Sequence, residues 1–277
     1  MRSVRLVWRK PFRADHVGWP ETCTAVRLHS CRGPAPDGRK GKGEVQQEPG
    51  AAETDEFMSV AAHDLRNPIA VVRASAQMAQ RQINRGDTVS AQGRLAAIVE
   101  QADRLTDMLE TFLDAARIGS GRLPLGADRV DLRDLVQDAA NRARALRLGG
   151  EHADRSLVCD IPEGCVGIWD RPRVTRAVRA LLANALLYGD PATPVRVEAR
   201  RTANRVHLTI SGGGHGPDSD EAAHLFERFY RGRSAAEAGQ AGSGLGLYNA
   251  RGIARMHGGD LKRLDGDAFE IELPLSD

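Results

Sequence analysis

The feature that most constrains the fold is an apolar seam between residues 88 and 117. Apolar residues recur at alternating steps of three and four, at positions 95, 98, 102, 105, 109, 112 and 116. This heptad spacing places them along one side of an α-helix. A second helix is predicted upstream, from about Asp55 to Arg85, and Gly86-Asp87 separates the two. Two antiparallel helices with one seam each cannot close a core alone, so the pattern predicts a hairpin that dimerises into a four-helix bundle.

Pro68 lies inside the first of these helices and is expected to kink it, because proline removes a helical hydrogen bond.

The chain after Pro124 has a different sequence pattern, in which short strands alternate with helices. Helices are predicted at Leu132–Leu146, Arg171–Leu187 and near Gly246–His257. Strands are predicted at Ser156–Ile161, Gly167–Asp170, Val195–Arg200, Val206–Ser211 and Ala268–Leu275. This mixture predicts an α/β sandwich, so the whole chain is of the α + α/β class.

The first 50 residues lack a core-forming pattern. Basic residues, glycines and prolines dominate, as in the run from Gly33 to Gly43, and such a segment buries too little surface to offset the entropy of ordering. Disorder is predicted there, with a degenerate sensor remnant and a misassigned translation start as alternatives. The chain therefore divides into an N-terminal segment, 1–54, a hairpin domain, 55–120, and an α/β domain, 121–277.

Composition excludes several classes of function. The formal net charge of +2 is too close to balance to indicate binding to nucleic acid or to a membrane surface. The four cysteines, at positions 23, 31, 159 and 165, lack the CxxC spacing of a zinc or redox site. No apolar stretch approaches the ~18 residues of a transmembrane helix, and no secretory signal follows the basic start. A cytoplasmic location is expected.

The strongest motif is the hexad from His63 to Pro68, on the first predicted helix. Asp64 follows the histidine directly, so its carboxylate can hold one ring nitrogen and leave the other as nucleophile. Without the residues around it, His63 would be interpreted as an ordinary surface histidine on a helix. The hexad resembles the phospho-acceptor box of the histidine kinases, in which an acidic residue follows His and Thr or Asn precedes Pro. The flanking segment Glu56–His63 is also similar to that family.

Three further motifs resemble boxes of the same family, in the same order. Leu181–Tyr188 is similar to the asparagine box, which implies that Asn184 holds Mg²⁺ on the nucleotide phosphates. Leu187 stands where the family usually has a basic residue. Leu225–Arg231 resembles the phenylalanine box and also fits an amphipathic helix. The segment from Gly242 to Leu247 is similar to the second glycine box, in which backbone N–H groups and a helix N-terminus bind phosphate.

The first glycine box departs from the family pattern. Gly214 and Gly216 match its two glycines, but Gly212 stands where the family has the Asp that accepts a hydrogen bond from the adenine amino group, and Pro217 stands in place of Ile. Loss of a hydrogen bond to a charged group weakens binding roughly 10- to 150-fold. Restoring the carboxylate, as in Gly212→Asp, is therefore expected to tighten ATP binding.

Together the resemblance covers residues 55–277 and implies a histidine kinase with a gyrase/heat-shock/histidine-kinase type ATP-binding domain. His63 would attack the γ-phosphate of ATP and pass the group to an aspartate of a response-regulator receiver domain, with Asp64 as proton acceptor and Asn67 orienting water for dephosphorylation. A degenerate kinase that acts as phosphatase, phospho-acceptor or scaffold is the alternative, because of Gly212. The implied nucleotide-binding residues are Asn184, Tyr188, Gly214, Gly216, Gly242, Gly244, Leu245 and Gly246.

Overall fold

Two long helices form an antiparallel hairpin at the start of the described chain. The structure is a computed structural model that describes residues 49–146, 155–232 and 242–276, with the backbone alone for residues 49–58. Helix α1 spans Pro49–Asn84 and α2 spans Thr88–Gly119. The carboxylate of Asp87 caps α2 by accepting a hydrogen bond from the Ser90 N–H at 3.1 Å. The predicted hairpin is thus confirmed; the disorder predicted for residues 1–50 falls almost wholly outside the described residues.

Helix α1 differs from its prediction at its N-terminus. It begins at Pro49, about six residues earlier than expected, and it continues through Pro68 as one element. Proline is favourable at a first helical position, where the missing N–H has no partner to lose.

The predicted apolar seam of α2 divides into two stripes. Ile98, Leu105 and Phe112, seven residues apart, are half-buried or buried within the chain. Leu95 and Leu109, from the alternate positions, are exposed, and the neighbouring Val99 and Leu113 extend that exposed stripe. A single chain therefore covers only one half of the seam.

The α/β domain is built on two sheets flanked by helices. The strands are β1 Asp128–Asp131, β2 Leu157–Asp160, β3 Val166–Trp169, β4 Val195–Arg201, β5 Arg205–Ser211, β6 Asp260–Arg263 and β7 Phe269–Pro274; the helices are α3 Leu132–Ala145, α4 Arg171–Tyr188, α5 Ser219–His224 and α6 Gly246–Met256. The larger sheet is mixed and five-stranded, in the order β2-β4-β5-β7-β6. Strands β2 and β4 are parallel, and the other neighbours are antiparallel. A separate two-stranded sheet pairs β1 with β3.

The core lies between the sheet and the helices α3, α4 and α6. Alternate residues of β5 (Val206, Leu208 and Ile210) are buried, which is the period expected of a strand with one covered face. Trp169 is fully buried, and its indole N–H donates to the Pro274 carbonyl oxygen at 2.8 Å. This arrangement confirms the predicted α/β sandwich.

Three elements of this domain were not predicted, and the amphipathic helix considered for Leu225–Arg231 is not formed. Strands β1 and β6 and the short helix α5 are absent from the sequence-based assignment. Leu225–Arg231 is not an amphipathic helix: the chain turns there, and Phe229 has a φ of 62°.

Asp260, the first residue of β6, ties that strand to α6. Its carboxylate accepts hydrogen bonds from Arg251 at 3.1 Å, from Arg255 at 3.0 Å and from the Leu261 N–H at 2.9 Å. Partial burial alone would raise its pKa, but these bonds outweigh it and lower the pKa of Asp260 to about 2.

Candidate functional site

A cleft of about 1100 Å³ lies between the hairpin and the α/β domain. Its walls contain side chains from α1, α4 and the loop before α6. Of the residues predicted for function, Gly214 and Leu245 do not line it. Those that do are His63, Asp64, Asn67, Asn184, Tyr188, Gly216, Gly242, Gly244 and Gly246.

His63 projects from α1 with 72% of its side chain exposed. Its Nδ1 lies 3.2 Å from Asp64 Oδ1, so the carboxylate can hold Nδ1 and leave Nε2 toward solvent and the cleft. Asn67 lies one helical turn further along α1 and lines the same cleft. A carboxylate and an amide of the same helix therefore line the cleft together with the histidine.

Asn184 and Tyr188 lie one turn apart near the C-terminal end of α4. The Asn184 amide is half-buried and makes no hydrogen bond to any residue in the described ranges, so its oxygen is available to a ligand. Burial raises the pKa of the Tyr188 phenol, which therefore stays neutral at physiological pH. A neutral amide oxygen suits hard Mg²⁺ when phosphates supply the negative charge.

The loop from Gly242 to Gly246 approaches the backbone of Phe229 closely at Gly244. Gly244 has a φ of 69°, and a Cβ there would lie 2.5 Å from the carbonyl carbon of Phe229. Gly246 begins α6, so the loop leads into a helix N-terminus, where N–H groups favour anions. Leu245 is fully buried with Ala61 and Phe112 of the hairpin, so its side chain anchors the loop.

The segment at Gly212 is enclosed by backbone. The Gly212 carbonyl accepts hydrogen bonds from Arg155 Nη2 and Thr193 Oγ1, both at 2.8 Å. A Cβ at Gly212 would lie 2.3 Å from the Ala185 carbonyl oxygen and 2.8 Å from Gly189 Cα. A side chain at position 212 therefore requires this backbone to shift, so Gly212→Asp would not simply restore the carboxylate, and tighter ATP binding by that variant stays a prediction.

Comparison with known families agrees with this geometry. Residues 53–121 match the His Kinase A (phospho-acceptor) domain, and residues 169–277 match the Histidine kinase-, DNA gyrase B-, and HSP90-like ATPase domain. The two matches together span well over half of the chain, in the order seen in the structure. The chain belongs to the sensor histidine kinases. Its ATPase domain implies ATP binding.

Known histidine kinases are similar in sequence to most of this chain. The sensor-like histidine kinase SenX3 of Mycolicibacterium smegmatis is 26% identical over 225 residues, which are 79% of this chain and 57% of that protein. The sensor histidine kinase MtrB of Mycobacterium tuberculosis is 30% identical over 79% of this chain and 39% of its own length. The chain thus spans about half the length of the curated relatives that it matches.

A solved structure shares the fold. The Acinetobacter baumannii histidine kinase AdeS superposes with a TM-score of 0.52 at 20% identity, over 78% of this chain and 98% of that chain. Within the described part of the kinase, no helix has the length and apolarity needed to cross a membrane.

Charged side chains join the phospho-acceptor domain to the ATPase domain of the kinase. Asp114 of α2 is 3% exposed and accepts hydrogen bonds from Arg176 of α4 at 2.6 and 3.0 Å. Arg176 also donates to Glu110 at 2.8 Å, and Arg173 approaches Asp114 at 3.5 Å. One turn further along α4, Arg179 pairs with Asp107 in a buried contact.

Burial raises the pKa of Asp107, and the positive charge of Arg179 opposes that rise. Sequence reasoning missed this interface. Its signal is an arginine at every third position of α4 (173, 176 and 179) and acidic residues at 107, 110 and 114 of α2. Both spacings place the charges on one face of a helix. Asp267, a buried residue that also lines the cleft, was missed as well.

Proposed function

We propose that this chain is an ATP-dependent protein-histidine kinase that phosphorylates its own His63. The observation that carries the proposal is that His63, Asn184 and the glycine-rich loop before α6 line one cleft. The phosphoryl acceptor, His63, and a nucleotide bound in this cleft would therefore lie in the same cavity. Positioning and electrostatic stabilisation supply most of the catalysis in phosphoryl transfer, so a shared cleft is the arrangement that the chemistry requires.

In this reaction His63 Nε2 attacks the γ-phosphorus of ATP, the bond from that phosphorus to the β–γ bridging oxygen breaks, and ADP leaves. Asp64, 3.2 Å from Nδ1, holds the ring, stabilises the positive charge that forms on it and accepts the Nδ1 proton, which leaves neutral phosphohistidine. Asn184 and the N–H groups of the loop ending at Gly246 are placed to hold the nucleotide. Mg²⁺, bound through Asn184 and the phosphates, would neutralise the charge of the triphosphate.

The phosphoryl group then passes to an aspartate carboxylate of a response-regulator receiver domain. The exposure of His63 supports this second step, because an incoming domain must reach its ring. Asn67, one turn away, is placed to orient the water that hydrolyses the receiver phosphate. The chain acts as a homodimer, with the exposed stripe of Leu95, Leu109 and Leu113 against a second copy.

Labelled ATP tests the proposal. Incubation with [γ-³²P]ATP and Mg²⁺ should give a label that is stable to base and lost in acid, as a phosphoramidate bond requires. Peptide mapping should place it on His63, and His63→Ala should carry none. Arg73→Ala, an exposed change on the same helix outside the hexad, is the matched control and should keep the label. Label that survives in His63→Ala would show that another residue is the acceptor.

A further inference from the structure

Asp267 is a carboxylate that is only 5% exposed and yet lines the cleft. It lies in the turn between β6 and β7. Burial of an ionised group is costly unless its charge is hydrogen-bonded. Its Oδ2 accepts a hydrogen bond from the Gly212 N–H at 2.8 Å. The other oxygen accepts none from the residues that the structure describes, so it is available to a donor in the cleft.

Strand pairing fixes Asp267 opposite Gly212. Strands β5 and β7 are antiparallel with Ile210 opposite Phe269, and the same register continued by two residues brings 212 to 267. A Cβ at Gly212 would lie 2.8 Å from Asp267 Oδ2. The carboxylate of Asp267 therefore fills the space that a side chain at position 212 would enter.

The turn that carries Asp267 is held in place. Arg263 donates hydrogen bonds to the Gly266 carbonyl oxygen at 3.1 Å and to the Pro217 carbonyl oxygen at 2.9 Å. A Cβ at Gly216 would lie 1.9 Å from the Gly266 oxygen, so turn and loop are in direct contact. A side chain on such a support loses little conformational freedom when it binds a ligand.

We propose that Asp267 is the specificity-determining residue for the nucleotide base. The Gly212 N–H holds one carboxylate oxygen, and the other accepts a hydrogen bond from the exocyclic amino group of adenine. An ionised carboxylate only accepts, so it matches the 6-amino group of adenine and repels the carbonyl oxygen that guanine has at that position. The inference rests on the proposed function, because it assigns the base contact of the same nucleotide site.

Asp267→Asn tests the assignment with a nearly unchanged shape. The amide oxygen can still accept from Gly212, and the amide NH₂ then faces the cleft, where it suits a carbonyl oxygen. Calorimetric titration with Mg²⁺ present should show ATP bound tenfold or more weakly by the variant, with the preference for ATP over GTP lost. Asp265→Asn is the matched control: it removes the same charge from an exposed position in the same turn and should bind both nucleotides as the unaltered chain does.

A second measurement begins with the unaltered chain, so that this part does not depend on the folding of the variant. Purine riboside triphosphate lacks the 6-amino group and should bind to the unaltered chain at least tenfold more weakly than ATP. The Asp267→Asn protein should bind the two equally. Equal affinities in the unaltered chain, or an unchanged preference in the variant, would overturn the assignment.

The outcomes also separate the base contact from the kinase reaction. A chain that discriminates between these nucleotides through Asp267 but leaves His63 unlabelled supports the assignment and contradicts the proposed function alone. A chain that is labelled on His63 with equal efficiency by ATP and GTP contradicts the assignment and supports the function. A chain that binds no nucleotide contradicts both.

Discussion

Replacing Asp114 by alanine should destabilise the folded kinase by about 3 kcal/mol. Removing one member of a buried ion pair costs roughly 3–5 kcal/mol, because the other charge remains without its partner. Asp114 is almost wholly buried and accepts two hydrogen bonds from Arg176. The lower end of the range applies here, because both arginines retain an acidic partner in the variant: Arg176 still pairs with Glu110, and Arg173 still pairs with Asp170.

A double-mutant cycle isolates the pair itself. Asp114→Ala, Arg176→Ala and the combined variant should be unfolded in urea at equilibrium, and the coupling free energy should be about 2 kcal/mol. The pair Arg171–Asp138 provides a matched control, because it lies within the α/β domain and its side chains are 42% and 50% exposed. Exposed pairs of this kind couple by about 0–1 kcal/mol.

The comparison of the two cycles decides whether the domains contact each other in solution as in the structure. A coupling for Asp114 and Arg176 no larger than that of the exposed pair would show that α2 and α4 do not form this contact. The cleft between the domains would then have a different shape. The observation that His63 and Asn184 line the same cleft would no longer support the proposed phosphoryl transfer.

Three further predictions follow from the geometry. Asp64→Asn should slow labelling of His63 by about 100-fold or more, because the ring loses its charged partner; an unchanged initial rate would contradict that role. Leu109→Asp combined with Leu113→Asp should convert dimers to monomers in sedimentation, and dimers that persist would show that the exposed stripe is not the interface. Asp260→Asn should flatten the acid limb of urea-unfolding curves between about pH 4 and pH 2. The folded pKa is lowered, so the stabilisation is present above the unfolded value and is lost as the pH falls to about 2.

Helices with a clear period could be predicted from the sequence, and so could strands with alternating burial. The helical period of α2 and the alternation of β5 are local patterns, and the structure has a helix and a strand at these positions. Strand β6, with the sequence Asp-Leu-Lys-Arg, has no such pattern, because its existence depends on pairing with β7. The seam prediction also merged two stripes, since spacing alone does not tell which apolar residues face the chain's own helix and which face outward.

Some residues of the candidate site could likewise be predicted from local sequence, and others could not. His63, Asn184 and the glycine loop could be found because each belongs to a contiguous motif. Asp267 could not, because it meets Gly212 only through the register of β5 against β7, 55 residues apart. The resemblance to a family indicated which carboxylate is missing, and strand pairing shows which carboxylate lies beside that position.

The burial of Leu245 has a consequence for how the kinase responds to ligands. This side chain belongs to the loop proposed to bind phosphate, yet it is fully buried in a cluster that includes Phe112 and Ala61 of the hairpin. Undocking the domains would expose part of it to water, at a cost of up to about 3 kcal/mol, so the loop and the docked arrangement are energetically coupled. Thermodynamic reciprocity then links them: if ATP favours docking by a given factor, docking strengthens ATP binding by that same factor. A force on the hairpin would thus change the affinity for nucleotide without any contact with it.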